Sequence, residues 1–312
     1  MEFNDVRLQY EELSTEIDAA VQRVFRGGRY ILGDEGAAFE AEFARFCGAV
    51  SGIGVASGTD ALRIGLAAMG VRGGDEVIVP AVSAAATAMA VVQLGATPVF
   101  ADISPKDFTI DPKSIAERQT SRCRAVVPVH LYGMPAPLKE ISKLGLPILE
   151  DACQAHGSED TWGKCGSFGL AAAFSFYPTK NLGTYGDAGM LVTSDPAVAE
   201  RARLLRNYGQ RENYYSEIPG DNSRLDEIHA AILRVKLKRL EEWNQKRASI
   251  ARVYREEFSK LPLGLQRETG RSNYHLFVVT TPKRDALRKH LSGRSEEHTS
   301  ELQSHLNLVC RL

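Results

Sequence analysis

Lys180 lies in the run Ser175-Phe176-Tyr177-Pro178-Thr179-Lys180-Asn181, and Asp151 closes the earlier run Pro147-Ile148-Leu149-Glu150-Asp151. Each follows or ends an apolar, strand-like stretch. A lysine amine with an ordinary pKa of about 10.4 is mostly protonated at neutral pH and a poor nucleophile. Imine formation removes that obstacle, and the amine, once released, can shuttle a proton beside a substrate carbon. A carboxylate at another strand end can bond a pyridinium nitrogen, keep it protonated and let the ring act as an electron sink. The pair is the arrangement that holds pyridoxal 5'-phosphate, with Lys180 forming the Schiff base. Taken alone, Lys180 reads as a surface loop lysine and Asp151 as a helix-capping aspartate. The apolar run Ala171-Ala172-Ala173-Phe174 feeding into the lysine segment argues against the first of these.

A phosphate end is also legible. Ala56-Ser57-Gly58-Thr59-Asp60-Ala61-Leu62 joins a strand to a helix. Gly58 lets the backbone approach an anion, the first helical amides point at it, and Ser57 and Thr59 add hydroxyls. By itself the motif is an ordinary helix N-cap; the lysine and acid make it specific. Ser175, on the lysine's own segment, could also reach a phosphate. Gln154 and His156 follow Asp151, and either could hydrogen-bond the cofactor's ring oxygen or the substrate; His156 reads equally as a satisfied loop histidine. Gly183, Gly186 and Gly189 make a tight, flexible segment after the lysine.

These residues need a scaffold of strand ends. Ile53 to Ala56, Val77 to Pro80, Pro98 to Asp102, Ala125 to His130 and Ile148 to Asp151 read as strands, and Thr59 to Met69, Ala84 to Leu94, Pro112 to Arg118 and Pro137 to Leu144 as the helices between them. The alternation predicts an α/β fold with a mostly parallel sheet between helices, and uninterrupted apolar strands such as Val77-Ile78-Val79 suit burial on both faces. Gly189 to Thr193 reads as a strand and Pro196 to Asn207 as a helix. Ser223-Arg224-Leu225-Asp226 has capping-box spacing and is expected to open one long helix with apolar positions at Leu225, Ile228, Ile232, Val235 and Leu240. Tyr274 to Thr280 and Lys283 to Leu291 read as a further strand and helix. The expected division is a cofactor-binding domain over 1–223 and a linking helix with an incomplete smaller C-terminal α/β domain over 224–293.

The bulk numbers exclude several classes. The 312 residues carry a formal net charge of -1, with 44% hydrophobic and 25% charged residues, so nothing points to nucleic acid. Arg234-Val235-Lys236-Leu237-Lys238-Arg239 alternates with apolar residues and reads as a solvated helix face. The cysteines Cys47, Cys123, Cys153, Cys165 and Cys310 lack CxxC spacing, which argues against disulfides and against a metal site. No apolar run is long enough to span a bilayer, and the N-terminus lacks a signal pattern; the expected address is the cytoplasm.

With these motifs in place, the chain from about Arg7 to Leu291 resembles the DegT-type nucleotide-sugar aminotransferases of fold type I. The resemblance rests on Gly28-Arg29-Tyr30-Ile31-Leu32-Gly33, Gly54 to Leu62, Gly74 to Pro80, Glu150 to Gly157, Phe174 to Gly183 and Asn222 to Glu227. It implies that Lys180 is the Schiff-base lysine, that Asp151 bonds the pyridine nitrogen and Gln154 the ring hydroxyl, and that Ser57, Gly58, Thr59 and Ser175 hold the phosphate. It also implies a homodimer with shared active sites, Asn222 reaching the phosphate of the neighbouring subunit. The implied reaction moves an amino group, with glutamate the usual donor, to a nucleoside-diphosphate-linked keto sugar for deoxyamino-sugar biosynthesis; Asn222 through Trp243 is most similar to members that aminate C3 of dTDP-3-keto-6-deoxyhexoses. One departure is Ala84, which stands where family members often place an aromatic over the cofactor ring. Another lies at the end of the chain. Residues Arg294 to His305 resemble an in-frame translation of a sequencing-adapter oligonucleotide, so 294–312 reads as a non-native tail replacing the family's closing segment. A half-built domain is expected to leave strand edges open and the protein poorly stable or inactive. The alternatives are a family dehydratase, which has histidine in place of the lysine, and an inactive fragment or non-catalytic cofactor-binding regulator of the same fold.

Overall fold

A computed structural model of the chain describes residues 5–212, 214–292 and 307–310. Its centre is a mixed sheet. The strands are β1 (Ser51–Val55), β2 (Glu76–Pro80), β3 (Thr97–Ala101), β4 (Cys123–Val126), β5 (Leu149–Asp151), β6 (Ala171–Ser175) and β7 (Gly189–Thr193). One stretch runs in the order β1-β7-β6-β5 and another in the order β3-β2-β4. Parallel bridges Val126↔Ile148 and Val129↔Asp151 join them at β4 and β5. β2 is parallel to β3 and β4, and β5 to β6. β7 alone runs the other way, antiparallel to both β6 and β1. No helix lies between β6 and β7, and without a helical crossover a strand returns antiparallel.

Helices cover both faces. α1 (Arg7–Gly27) and α2 (Asp34–Cys47) precede the sheet, followed by α3 (Gly58–Ala68), α4 (Ala85–Gln93), α5 (Pro112–Arg118), α6 (Leu138–Ser142) and α7 (Pro196–Leu205). On one face Leu62, Ile64 and Leu66 of α3 pack with Val91, Ala202 and Leu191. On the other, Phe39 and Phe43 of α2 meet Phe174 and Phe176, with centroid separations of 4.9–5.2 Å for three of these ring pairs. Burying each ring contributes about 1.5–3 kcal/mol, so the floor beneath the lysine segment is firmly packed.

Beyond residue 224 the structure departs from the expected single helix. The chain forms α8 (Glu227–Leu237) and α9 (Leu240–Phe258). Ser223 does not cap a helix: its hydroxyl accepts from the Ala56 amide at 3.0 Å, and Asp226 occupies the N-cap position without a side-chain cap bond. Glu227 reaches across instead and takes the amides of Gly33, Glu35 and Gly36 at 2.8, 2.8 and 3.0 Å. It thereby satisfies orphan donors at the start of α2 and places a negative charge on its dipole. The chain continues through β8 (Gly264–Leu265), β9 (Phe277–Thr280) and α10 (Arg284–Ser292). β9 is paired on both sides, with β8 and with β10 (Asn307–Cys310), and those two stand at the ends of this three-stranded sheet. Ladder pairing uses main-chain groups and is tolerant of sequence. Of the tail expected to be non-native, 294–306 and 311–312 lie outside the described residues. Among the described residues, no helix is long and apolar enough to cross a membrane.

Candidate active site

The site gathers at the carboxyl ends of β5 and β6, where α/β sheets place ligands. Asp151 ends β5 and is 4% exposed. Its Oδ2 accepts from the Thr87 hydroxyl at 2.7 Å and its Oδ1 from the Cys153 amide at 3.2 Å. Thr87 spends its single proton on the carboxylate, so at its 3.0 Å contact with Ser83 Oγ it is the acceptor. A chain of hydroxyls, Ser83 to Thr87 to Asp151, therefore fixes the carboxylate from α4. A carboxylate offers about four acceptor positions, so Asp151 keeps capacity for another N–H.

Glu150, one residue earlier, points to the opposite side of the strand. It is fully buried and accepts from Gly166, Phe168 and Gly169 amides at 2.7–2.9 Å and from His130 at 2.9 Å. His130 Nδ1 accepts from the Ala136 amide, so Nε2 carries the proton it gives to Glu150. Adjacent carboxylates thus divide the work: Glu150 holds loops, and Asp151 turns toward Thr87 and Cys153.

Lys180 is half-buried, and its amide donates to the Tyr177 carbonyl at 2.8 Å. Cys153 registers both charges of the pair. Burial pushes its thiol up, the Asp151 carboxylate pushes it further, and the Lys180 ammonium pulls it back. Cys153 thus lies within electrostatic reach of both groups. The phosphate-end residues converge there too: a Cβ at Gly58 would come within 2.6 Å of Ser175 Cβ and 3.0 Å of Cys153 Sγ. Only glycine fits, and the first amides of α3 have no intrahelical partners. Ser57 is the α3 N-cap: its oxygen accepts from the Asp60 amide and its proton goes to Asp60 Oδ2, each at 3.1 Å, so the helix amides rather than this hydroxyl face an anion; Thr59 follows in the first turn. A cradle closed to a side chain, an acid with spare acceptor capacity and a nearby amine fit pyridoxal phosphate.

The other expected residues are placed differently. Gln154 is 5% exposed, and its Oε1 accepts from the Tyr132 amide at 2.7 Å, so only its NH2 end could serve a ring oxygen. His156 is fully buried with Phe43, Phe174 and Phe176 around it, and neither ring nitrogen has a hydrogen-bond partner. Burial first, then the Lys180 charge, push it down to about 3, with the Ser175 backbone opposing them. It is a neutral core ring rather than a satisfied loop histidine. Ala84 is the exposed N-cap of α4, with no ring to offer. Asn222 is exposed and lines a separate cleft of about 480 Å³ with Ala56, Asp187, Arg224 and His229.

Sequence reasoning missed Ser83 and Thr87, although their i, i+4 spacing at a helix start was visible. It also missed a buried amide network. Asn181, beside Lys180, donates to Asn244 Oδ1 on α9 and to the Asn273 carbonyl, each at 2.9 Å. Asn244 and Asn273 in turn donate to the His156 carbonyl, and Asn273 also to that of Gln154. No local pattern announces contacts between residues so far apart in the chain.

Comparison with known proteins bears on this geometry. The model of the DegT/DnrJ/EryC1/StrS aminotransferase family matches residues 11–311. The dTDP-3-amino-3,4,6-trideoxy-alpha-D-glucose transaminase of Streptomyces venezuelae is 47% identical over 299 residues, which cover 94% of this chain and 79% of that protein. The erythromycin biosynthesis sensory transduction protein EryC1 of Saccharopolyspora erythraea is 46% identical over 297 residues, 93% of this chain and 81% of that protein. Among solved structures, S. venezuelae DesV, crystallised in complex with a ketimine intermediate, superposes with a TM-score of 0.94 at 42% identity, covering 99% of this chain and 92% of that one.

Proposed function

The chain belongs to the DegT/DnrJ/EryC1/StrS aminotransferase family, and on that premise we propose roles for the residues of its site. The enzyme is a pyridoxal-phosphate-dependent aminotransferase of fold type I that transfers an amino group to a nucleotide-linked keto sugar for amino-sugar biosynthesis. The finer reading is C3 amination of a dTDP-3-keto-6-deoxyhexose with glutamate as donor, in a homodimer. The similarity to the S. venezuelae transaminase supports the sugar class, and exposed Asn222, outside its own subunit's acid–lysine cluster, is compatible with service to a partner.

The carrying observation is the meeting of the Gly58 helix start with Ser175 of the lysine segment and with Cys153, whose amide bonds Asp151. When bound, pyridoxal phosphate supplies the electron sink that lets an amino group pass between carbon skeletons. The chain's own residues do the rest. Asp151, aligned by Thr87, holds a proton at the pyridine nitrogen. The helix start at Ser57, Gly58 and Thr59, with Ser175, takes the phosphate. The NH2 of Gln154 donates to the ring oxygen. The Lys180 amine is the covalent anchor and, once free, accepts a proton from the donor's carbon and returns one to the acceptor's.

The test is Lys180→Ala. The wild type should develop a visible absorbance band on adding pyridoxal phosphate and form 2-oxoglutarate from glutamate with a nucleotide keto sugar. The variant should lose the band and turn over at least about 10³-fold more slowly. Water loss from the sugar with no amino transfer would instead point to dehydratase chemistry.

A further inference from the structure

α8 makes two contacts to the lysine loop that the reaction described above does not use. His229 and Lys236 stand seven residues apart, two turns along one face, and both meet the segment after Lys180. His229 Nδ1 lies 2.9 Å from the Thr184 hydroxyl. Lys236 is 1% exposed. Its ammonium donates to the Gly183 carbonyl at 2.8 Å and to Gln9 Oε1 of α1 at 3.1 Å, and it sits 4.0 Å from the centre of the Tyr185 ring. Tyr10 of α1 meets that ring edge-on. Among the described residues no carboxylate pairs with Lys236. A buried ammonium without a counter-ion is expensive, and an apolar side chain of similar volume would fill the space at lower cost.

We propose that Lys236 is a positioning residue whose ammonium, gripping the Gly183 carbonyl and the Tyr185 ring, fixes the loop that carries Lys180. This rests on Lys180 being the cofactor anchor. Lys180 is flanked by its amide hydrogen bond to the Tyr177 carbonyl on one side and by the Asn181 bonds on the other, and the glycines at 183 and 186 follow. Lys236 acts three residues past the anchor, beside the Thr184 amide that donates to the Phe176 carbonyl at 2.9 Å, and a cation over a ring adds attraction that no neutral side chain supplies.

The grip is also conditional. Burial pushes Lys236 down to about 8. The groups facing it do not change charge nearby: Gln9 cannot ionise, burial pushes Tyr185 up to about 12, and the hydrogen bond to Asp18 raises Tyr10. His229, lowered mainly by burial against the opposing charges of Asp226 and Asp187, is already neutral there. The two consequences have opposite signs. Rising pH discharges Lys236: the neutral amine keeps two N–H donors for Gly183 and Gln9, but the cation–ring attraction and the charge assistance are lost, so the loop loosens. Between pH 8 and the unfolded lysine's ordinary value the unfolded state binds more protons, so stability gains from this group as pH rises. Loss of loop order with no loss of stability is the signature.

The experiment compares the full chain with Lys236→Met and Lys236→Arg. Hydrogen exchange of residues 181–187 is followed in cofactor-free protein at pH 7 and pH 9, beside the cofactor dissociation constant and denaturant midpoints. The wild-type loop should exchange about tenfold faster at pH 9 after correction for intrinsic rate. Lys236→Met should exchange fast at both pH values, bind pyridoxal phosphate about tenfold more weakly and keep its midpoint, and Lys236→Arg should recover most of the difference. Equal loop exchange in wild type and Lys236→Met overturns the proposal, as does weakened binding that only tracks a lowered midpoint and is not rescued by arginine. If wild type forms no lysine-linked cofactor band, the assignment of Lys180 fails; the exchange data on cofactor-free protein still decide whether the grip exists.

Discussion

The acid side and the lysine side of the site are built on different principles. Asp151 ends a central strand. Its neighbours in the chain are locked by ladder bonds, by the Glu150 network, and by a hydroxyl chain from α4. Lys180 has no strand beneath it. It rides a loop held by a few backbone bonds of its own and by distant side chains: Asn244 and Asn273 through Asn181, and His229 and Lys236 through Thr184 and Gly183. The contrast suits the two tasks. A ring partner must stay in one place, whereas an amine that is by turns anchor and proton carrier must move between two atoms. Rigidity comes from the sheet on one side, and adjustable restraint from helices on the other.

The largest effect expected on the acid side is from Asp151→Asn. The amide keeps the shape and still accepts from Thr87, but it cannot hold a proton at a pyridine nitrogen. Turnover should fall by about 10²–10³-fold, the range for losing one preorganised electrostatic contact, while the Cys153 amide, left facing the new NH2, costs about 1–3 kcal/mol of stability. Activity within threefold of wild type would break the comparison at its root, because the fixed partner would then be some other group.

Glu150→Gln should act the other way, on stability. Each carboxylate oxygen of Glu150 takes two buried donors: Oε1 those of Phe168 and Gly169, Oε2 those of Gly166 and His130. Glutamine has one acceptor oxygen, so in either orientation its NH2 faces two N–H donors. At about 1–3 kcal/mol for each donor left unpaired, the two should cost roughly 2–6 kcal/mol, read as a lowered urea midpoint at unchanged slope. Turnover per folded molecule should change little. A stable variant with lost activity would mean that the two adjacent carboxylates have been assigned the wrong way round.

The same contrast explains what the sequence disclosed. The acid stood at a strand end, Gly58 at a helix start and the lysine in the loop that follows a strand, where residue type carries a local signal. The sheet strands were legible from their apolar runs. The break between α8 and α9 was not, because Lys238 and Arg239 both keep right-handed helical backbone angles and no glycine or proline marks it. Ser223 looked like a cap by spacing, yet a serine hydroxyl serves any nearby amide, and here Ala56 lay closer. Thr87 with Asp151, Glu227 with α2, and the asparagines around residue 181 are long-range pairings. Such contacts depend on the finished fold, so they leave no periodic trace.

Thr87→Val should give the smallest effect, and it probes the link between α4 and the acid. Valine is close to isosteric with threonine but removes the one proton Asp151 receives from that helix, and it strands the Ser83 hydroxyl at the same time. Cys153 still donates to the other oxygen, so the carboxylate loses alignment rather than its place. A deficit of about 1 kcal/mol corresponds to roughly fivefold in kcat. Thr87→Ser should restore it, since serine keeps the donor and loses only a methyl group. If valine instead costs as much as Asp151→Asn, the carboxylate is not held by its strand at all, and the acid side would depend on remote side chains as fully as the lysine side does.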